Sequence, residues 1–154
     1  MSDRTHLYQT RIVWSDPVGT SSYAAYGRDH SLHIDGKADL AMSADPAFRG
    51  DRARHNPEEL LVASLSSCHM LWYLALCAGH GVVVTDYEDN ASGSLTEAGG
   101  GRFVEVTLNP KVTLAAGDAE KARQLHEIAH KKCFIANSVN FPVTVAPQII
   151  VRAA

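Results

Sequence analysis

At 154 residues the chain fits one domain with its own core. Apolar residues make up 45% and charged residues 20%, the balance of a soluble globular protein. A net charge of −3 and no basic cluster longer than Lys131-Lys132 argue against nucleic-acid binding. Residues 1–6 lack the apolar core of a secretion signal. Three cysteines, an odd number, make no secreted disulfide framework. The expected compartment is a reducing cytoplasm, where a dithiol is redox-active or unpaired rather than structural.

Residues 6–14 read as a strand, and 20–27 as a second one after the turn signal Asp16-Pro17-Val18-Gly19. An extended stretch over 32–40 breaks at Asp35-Gly36, and 43–55 is a polar loop. Asn56 then caps a long helix, with Pro57 at its first position and Glu59 completing a capping box. The helix runs to about Ala78, where Gly79 and Gly81 stop it. Segments 82–95 and 102–114 are strand-rich and joined through Gly99-Gly100-Gly101, a hairpin signal. Asp118 caps a second helix to about Lys132, with Ala122, Leu125, Ile128 and Ala129 on one face. Residues 133–140 form a short helix or turn, and the alternation over 142–151 reads as a final strand. This order predicts an α+β fold.

The run 60–78 carries no formal charge and nearly reaches membrane-spanning length. It contains Ser64, Ser66, Ser67 and His69, and its aromatics Trp72 and Tyr73 sit inside the run rather than at its ends. It is read as the buried centre of a domain or subunit interface, with no membrane partner.

Two cysteines carry the chemistry. Cys68 lies inside the apolar helix, and Cys133 follows Lys131-Lys132 at the end of the second. A thiol reacts as thiolate, and cations or helix termini favour that form. On the residues alone, the two are either an attacking and a resolving thiol or inert core filler. Cys77, nine positions after Cys68, falls on the opposite helix face and reads as core.

Asn56-Pro57-Glu58-Glu59-Leu60-Leu61, the ten-residue step from Glu58 to Cys68, and a second cysteine behind a helix together resemble the OsmC/Ohr family of osmotically induced and organic-hydroperoxide-resistance proteins. The resemblance spans nearly the whole chain. It implies one OsmC-like domain over 1–154, with antiparallel sheets on two main helices, the first buried and central, in an intertwined homodimer. It also implies thiol-dependent reduction of peroxides, preferentially organic ones, without metal, haem or other cofactor. By position Cys68 matches the peroxidatic cysteine, Cys133 the resolving one, and Glu58 the motif's acidic residue. Arg28 best matches the family's arginine, with Arg49, Arg52 and Arg54 as competitors nearer Glu58. Arg28 would stabilise the thiolate and the peroxide oxygens, held by a bidentate contact from Glu58. An external dithiol, lipoyl-type by resemblance, would reduce the resulting disulfide.

At ~1.5 Å per residue, Glu58 and Cys68 stand roughly 15 Å apart along one helix. Glu58, and Arg28 with it, is therefore expected to serve Cys68 of the other subunit. Trp72, Tyr73, Phe134 and Phe141 are candidate walls for an apolar hydroperoxide chain, or ordinary core. His69 points about 100° away from Cys68 and is not expected to act as its base. It marks a departure from the family, whose members commonly have an apolar residue there.

A competing motif, His126-Glu127-Ile128-Ala129-His130, matches the H-E-x-x-H spacing of a zinc hydrolase. No His, Asp or Glu follows His130 to supply a third ligand, and Lys131-Lys132 would place positive charge beside a cation. The expectation is an exposed polar helix face with no metal. A third reading is a catalytically weak protein of the same fold that binds an apolar small molecule.

Overall fold

The computed structural model describes residues 3–153. Met1, Ser2 and Ala154, the ends of the expected 1–154 domain, lie outside the described residues. The chain divides into two compact units, Met1–Leu60 and Leu61–Ala154.

In the first unit, β1 (Arg11–Val13), β2 (His30–His33) and β3 (Leu40–Met42) form an antiparallel sheet in the order β1-β2-β3. The strand expected over 6–14 contracts to β1, and the strand expected over 20–27 does not form. The reason is Asp16. Its carboxylate accepts the backbone N–H groups of Val18 at 2.8 Å, Gly19 at 3.1 Å and Gly27 at 2.9 Å, folding the segment into turns. Those bonds, Gly27's above all, hold the Asp16 carboxyl below its ordinary pKa. A 3₁₀ turn at Pro46–Phe48, capped by Asp45, interrupts the expected loop.

Helix α1 spans Pro57–Gly79. Its capping box is formed as expected: Asn56 Oδ1 accepts from Glu59 N at 2.9 Å, and Glu59 Oε2 accepts from Asn56 N at 3.3 Å. Helix α2 spans Ala119–Lys132, with Asp118 Oδ1 accepting from Lys121 N at 2.6 Å.

The second unit holds two three-stranded sheets. One orders β4 (Val83–Asp89), β7 (Pro110–Ala116) and β9 (Gln148–Val151); the other orders β5 (Ser92–Thr96), β6 (Arg102–Leu108) and β8 (Val143–Val145). β5 and β6 form the hairpin expected at Gly99-Gly100-Gly101, whose positive φ angles of 64, 96 and 80° suit glycine. Both sheets are mixed rather than purely antiparallel, because β8 runs parallel to β6 and β9 parallel to β7. The single final strand expected over 142–151 thus splits at Ala146-Pro147, and its halves join different sheets. Pro147 has no N–H to continue a ladder.

Along α1 the fully buried side chains are Leu65, His69, Tyr73 and Cys77, a stripe at four-residue spacing. The lower part enters a core of Tyr73, Cys77, Val112, Leu114, Leu125 and Ala129; Leu65 enters a second with Val106 and Leu108. Burying one such leucine contributes about 1.5–3 kcal/mol. Other faces of α1 remain open, and Leu71 is 61% exposed. By length and apolarity alone the helix is sufficient to cross a membrane. Two of its polar side chains, however, are bonded to other elements: Ser66 Oγ donates to Asp89 Oδ2 at 2.5 Å, and His69 meets His126. The fold is α+β with two main helices among the described residues.

Candidate functional site

Cys133 closes α2 as its C-cap residue, and burial leaves it 1% exposed. The short 3₁₀ turn Ala136–Ser138 wraps back over it. Ala136 N–H points at Cys133 Sγ at 3.4 Å, and Asn137 N–H donates to the Cys133 carbonyl at 3.0 Å. The Cys68 thiol, half-buried on α1, lies near enough to Cys133 to raise its pKa, and both are free. Burial, and then this neighbouring sulfur, push the Cys133 thiol up to about 11, opposed by the Ala136 N–H. Cys133 is therefore protonated at neutral pH. The two helices thus bring together the cysteines singled out in the sequence. Cys77 is buried in the core, as expected, and burial raises its pKa.

Trp72 follows Cys68 by one helical turn on the same face. Its ring meets the Phe134 ring edge-on at 5.4 Å, and Lys132 Nζ sits 5.4 Å above it. Phe134 is 67% exposed. Trp72 and Phe134 therefore pair close in the chain to the two cysteines, Trp72 also packing on the first core, and the Lys132 cation noted in the sequence sits on the Trp72 ring. Tyr73 and Phe141 are different. Tyr73 is fully buried and stacks on the His126 ring at 3.7 Å, while Phe141 packs on Phe103 at 5.5 Å in the second core. The Tyr73 ring area is spent on core packing, so Tyr73 is not a free substrate wall, whereas Phe141 is half-buried.

In the first unit Arg28 and Glu58 line one cavity of about 400 Å³, together with Ile12, Trp14, Tyr26 and Phe48. The expected Arg28–Glu58 ion pair is not formed among the described residues. Arg28 instead donates to the carbonyls of Tyr26 and, at 2.6 Å, of Tyr23. Its guanidinium lies 3.7 Å over the Tyr26 ring and 4.5 Å over the Tyr23 ring. The Asp16-ordered loop thus claims the arginine. Glu58 Oε2 is buried without a hydrogen-bond partner. None of the competing arginines takes it. Arg54 bridges Asp29 at 3.2 Å and Asp51 at 3.9 Å, Arg49 donates to the Ala24 carbonyl at 3.4 Å, and Arg52 lines a separate cavity.

The H-E-x-x-H segment departs from expectation. His126 is 2% exposed rather than on an exposed face, because it shares the buried face of α2 with Ala122, Leu125 and Ala129. That position at helical spacing from the apolar residues was the available signal. Its Nδ1 meets Nε2 of His69 at 3.0 Å, with the two rings nearly coplanar and their centroids 5.3 Å apart. Burial pushes His69 down to about 4 and His126 to about 3, so both rings are neutral at physiological pH. No three His, Cys, Asp or Glu side chains are placed to hold a metal among the described residues.

The family model for OsmC-like proteins matches residues 50–148, a stretch that includes both cysteines of the dithiol. The chain belongs to the OsmC-like family. Among solved members, an OsmC-like protein of unknown function from Vibrio cholerae is 31% identical, with a TM-score of 0.84, covering 93% of this chain and 99% of that one. The OsmC-like fold also matches an organic hydroperoxide resistance protein from Elizabethkingia anophelis at 18% identity and a TM-score of 0.71, covering 98% and 100% of the two chains. A putative organic hydroperoxide resistance protein from Vibrio cholerae, solved with captopril in one active site, matches at 22% identity and a TM-score of 0.68, covering 96% and 95%. No curated protein matches the chain.

Proposed function

We propose that this OsmC-like protein is a thiol peroxidase that reduces organic hydroperoxides through Cys68 and Cys133. One observation carries the reading: two cysteines, one on α1 and one closing α2, lie near enough for one to raise the pKa of the other while both remain free. In the proposed cycle the Cys68 thiolate attacks one peroxide oxygen and the O–O bond breaks. The leaving alkoxide takes a proton and departs as alcohol, and Cys68 becomes a sulfenic acid. Cys133 then attacks that sulfur, a Cys68–Cys133 disulfide forms, and water leaves. Once Cys68 is a neutral sulfenic acid, its charge no longer opposes ionisation of Cys133, and the Ala136 N–H supports the Cys133 thiolate. An external dithiol, lipoyl-type in our reading, takes up the oxidation and restores both thiols.

Trp72 and Phe134 supply the apolar wall that favours an alkyl hydroperoxide over a small polar one. Arg28 and Glu58 complete the site from a second copy in a cytoplasmic homodimer. Supporting this are the ten-residue step from Glu58 to Cys68 on one helix, the unpartnered Glu58 Oε2, and the open apolar faces of α1. In such a dimer the Arg28 guanidinium leaves the tyrosine carbonyls to meet Glu58 and the peroxide.

Steady-state reduction of several hydroperoxides with dihydrolipoamide, by wild type, Cys68→Ser and Cys133→Ser, tests the proposal. Loss of turnover in both variants supports it; turnover that survives Cys68→Ser ends it.

A further inference from the structure

We propose that the groove between α2 and the turn joining β8 to β9 is a binding site for a small aliphatic carboxylate. It has a volume of about 450 Å³ and lies wholly within the second unit. The inference is independent of the peroxidase reading and takes up the H-E-x-x-H segment, which that reading leaves unused.

The polar floor is His126. Its ring is fixed on two sides: stacked on Tyr73 at 3.7 Å, and bonded edge to edge through Nδ1 to His69 Nε2 at 3.0 Å. Its Nε2 is buried, has no partner and belongs to a residue lining the groove. A buried polar atom without a partner costs about 1–3 kcal/mol, so a ligand that satisfies it gains that much over an apolar one. Each neutral imidazole carries one N–H. If His69 Nε2–H donates to His126, the His126 proton sits on Nε2 and the ring offers a donor to the groove. A bound carboxylate selects that tautomer. Nδ1 of His130, also lining the groove, is likewise buried without a partner.

Charge decides between an anion and a cation. Arg123 and Lys131 stand a turn or so to either side of His126, against the single carboxylate of Glu127. Arg123 also bridges Glu120 at 4.0 Å, and the lining carries a net charge of only one positive unit, which with the neutral donor favours an anion. The opposite wall is Val145 and Pro147, fixed in place by the bond from Arg123 Nη1 to the Pro147 carbonyl at 3.2 Å. An apolar wall facing a cationic rim suits a carboxylate with a short alkyl tail better than a compact inorganic anion.

The test is a titration of full-length protein carrying ¹⁵N-labelled histidine with octanoate, octanol and inorganic phosphate. Octanoate should shift the His126 Nε2 resonance saturably and fix it as the Nε2–H tautomer. Octanol and phosphate should each bind at least about tenfold more weakly, a difference of about 1.4 kcal/mol. Lys131 is exposed and Lys131→Gln leaves the fold intact; it should weaken octanoate at least about threefold, and Lys131→Arg should restore it. An unmoved His126 resonance, equal affinity for octanol or phosphate, or undiminished octanoate binding by Lys131→Gln would overturn the proposal.

Discussion

Nε2 of His69 and Nδ1 of His126 face each other at 3.0 Å inside the second unit, the first on the same helix as Cys68 and the second on the helix that Cys133 closes. The bond ties the two helices that carry the dithiol. Removing one partner leaves the other ring's nitrogen buried and unsatisfied, and also opens a cavity. His69→Ala should therefore cost about 2–4 kcal/mol of stability, read from urea unfolding. A change below about 0.5 kcal/mol would show that the pair does not hold the helices.

The same pair gives stability a definite pH dependence. Both rings titrate lower in the folded protein than their ordinary 6.5, His69 at about 4 and His126 at about 3. Between 6.5 and those values the unfolded chain binds protons that the folded one does not. Stability is therefore complete above pH 6.5 and falls as pH drops toward 4, by about 1.4 kcal/mol per unit for each ring. The urea midpoint should drop from pH 7 to pH 5, whereas a midpoint flat over that interval contradicts a neutral buried pair.

Alkylation rates report on the dithiol before any peroxide is present. A thiol at about 11 rather than 9 has about a hundredfold less thiolate at pH 8. Cys133 should react with iodoacetamide about two orders of magnitude more slowly in the native protein than in urea. Because the neighbouring sulfur contributes to that elevation, Cys68→Ala should speed native alkylation of Cys133. An unchanged rate would mean that the thiols do not sense one another.

Tyr73 and Trp72 separate core from pocket. The Tyr73 hydroxyl is buried without a hydrogen-bond partner, so Tyr73→Phe should be neutral or mildly stabilising and leave KM unchanged; Tyr73→Ala should cost about 3–5 kcal/mol. Trp72→Ala should raise KM for bulky hydroperoxides about tenfold with little effect on small ones. The reverse pattern, read from steady-state kinetics and thermal melts, would return Tyr73 to the substrate wall.

Much of the architecture was legible in local signals. Asn56, Glu59 and Asp118 mark both helix starts because a cap acts within one turn, and the glycine triplet marks the β5–β6 hairpin for the same local reason. What failed to show depends on distant partners. The strand expected over 20–27 yields to a carboxylate at Asp16 that gathers N–H groups from both sides of the segment. The split of 142–151 reflects two sheets competing for one alternating run. His126 reads as surface until its neighbours in α2 are counted as core, and Arg28 gives no sign in sequence that two tyrosines will hold it. The proximity of Cys68 to Cys133 was suggested by family resemblance; local sequence cannot encode the approach of two helices.

The dithiol itself is tested most directly by adding one equivalent of cumene hydroperoxide to the reduced protein, counting free thiols and mapping the peptides without reductant. The proposed cycle predicts the loss of two thiols, a Cys68–Cys133 disulfide and a free Cys77. Retention of all three thiols, or a disulfide that includes Cys77, would contradict it.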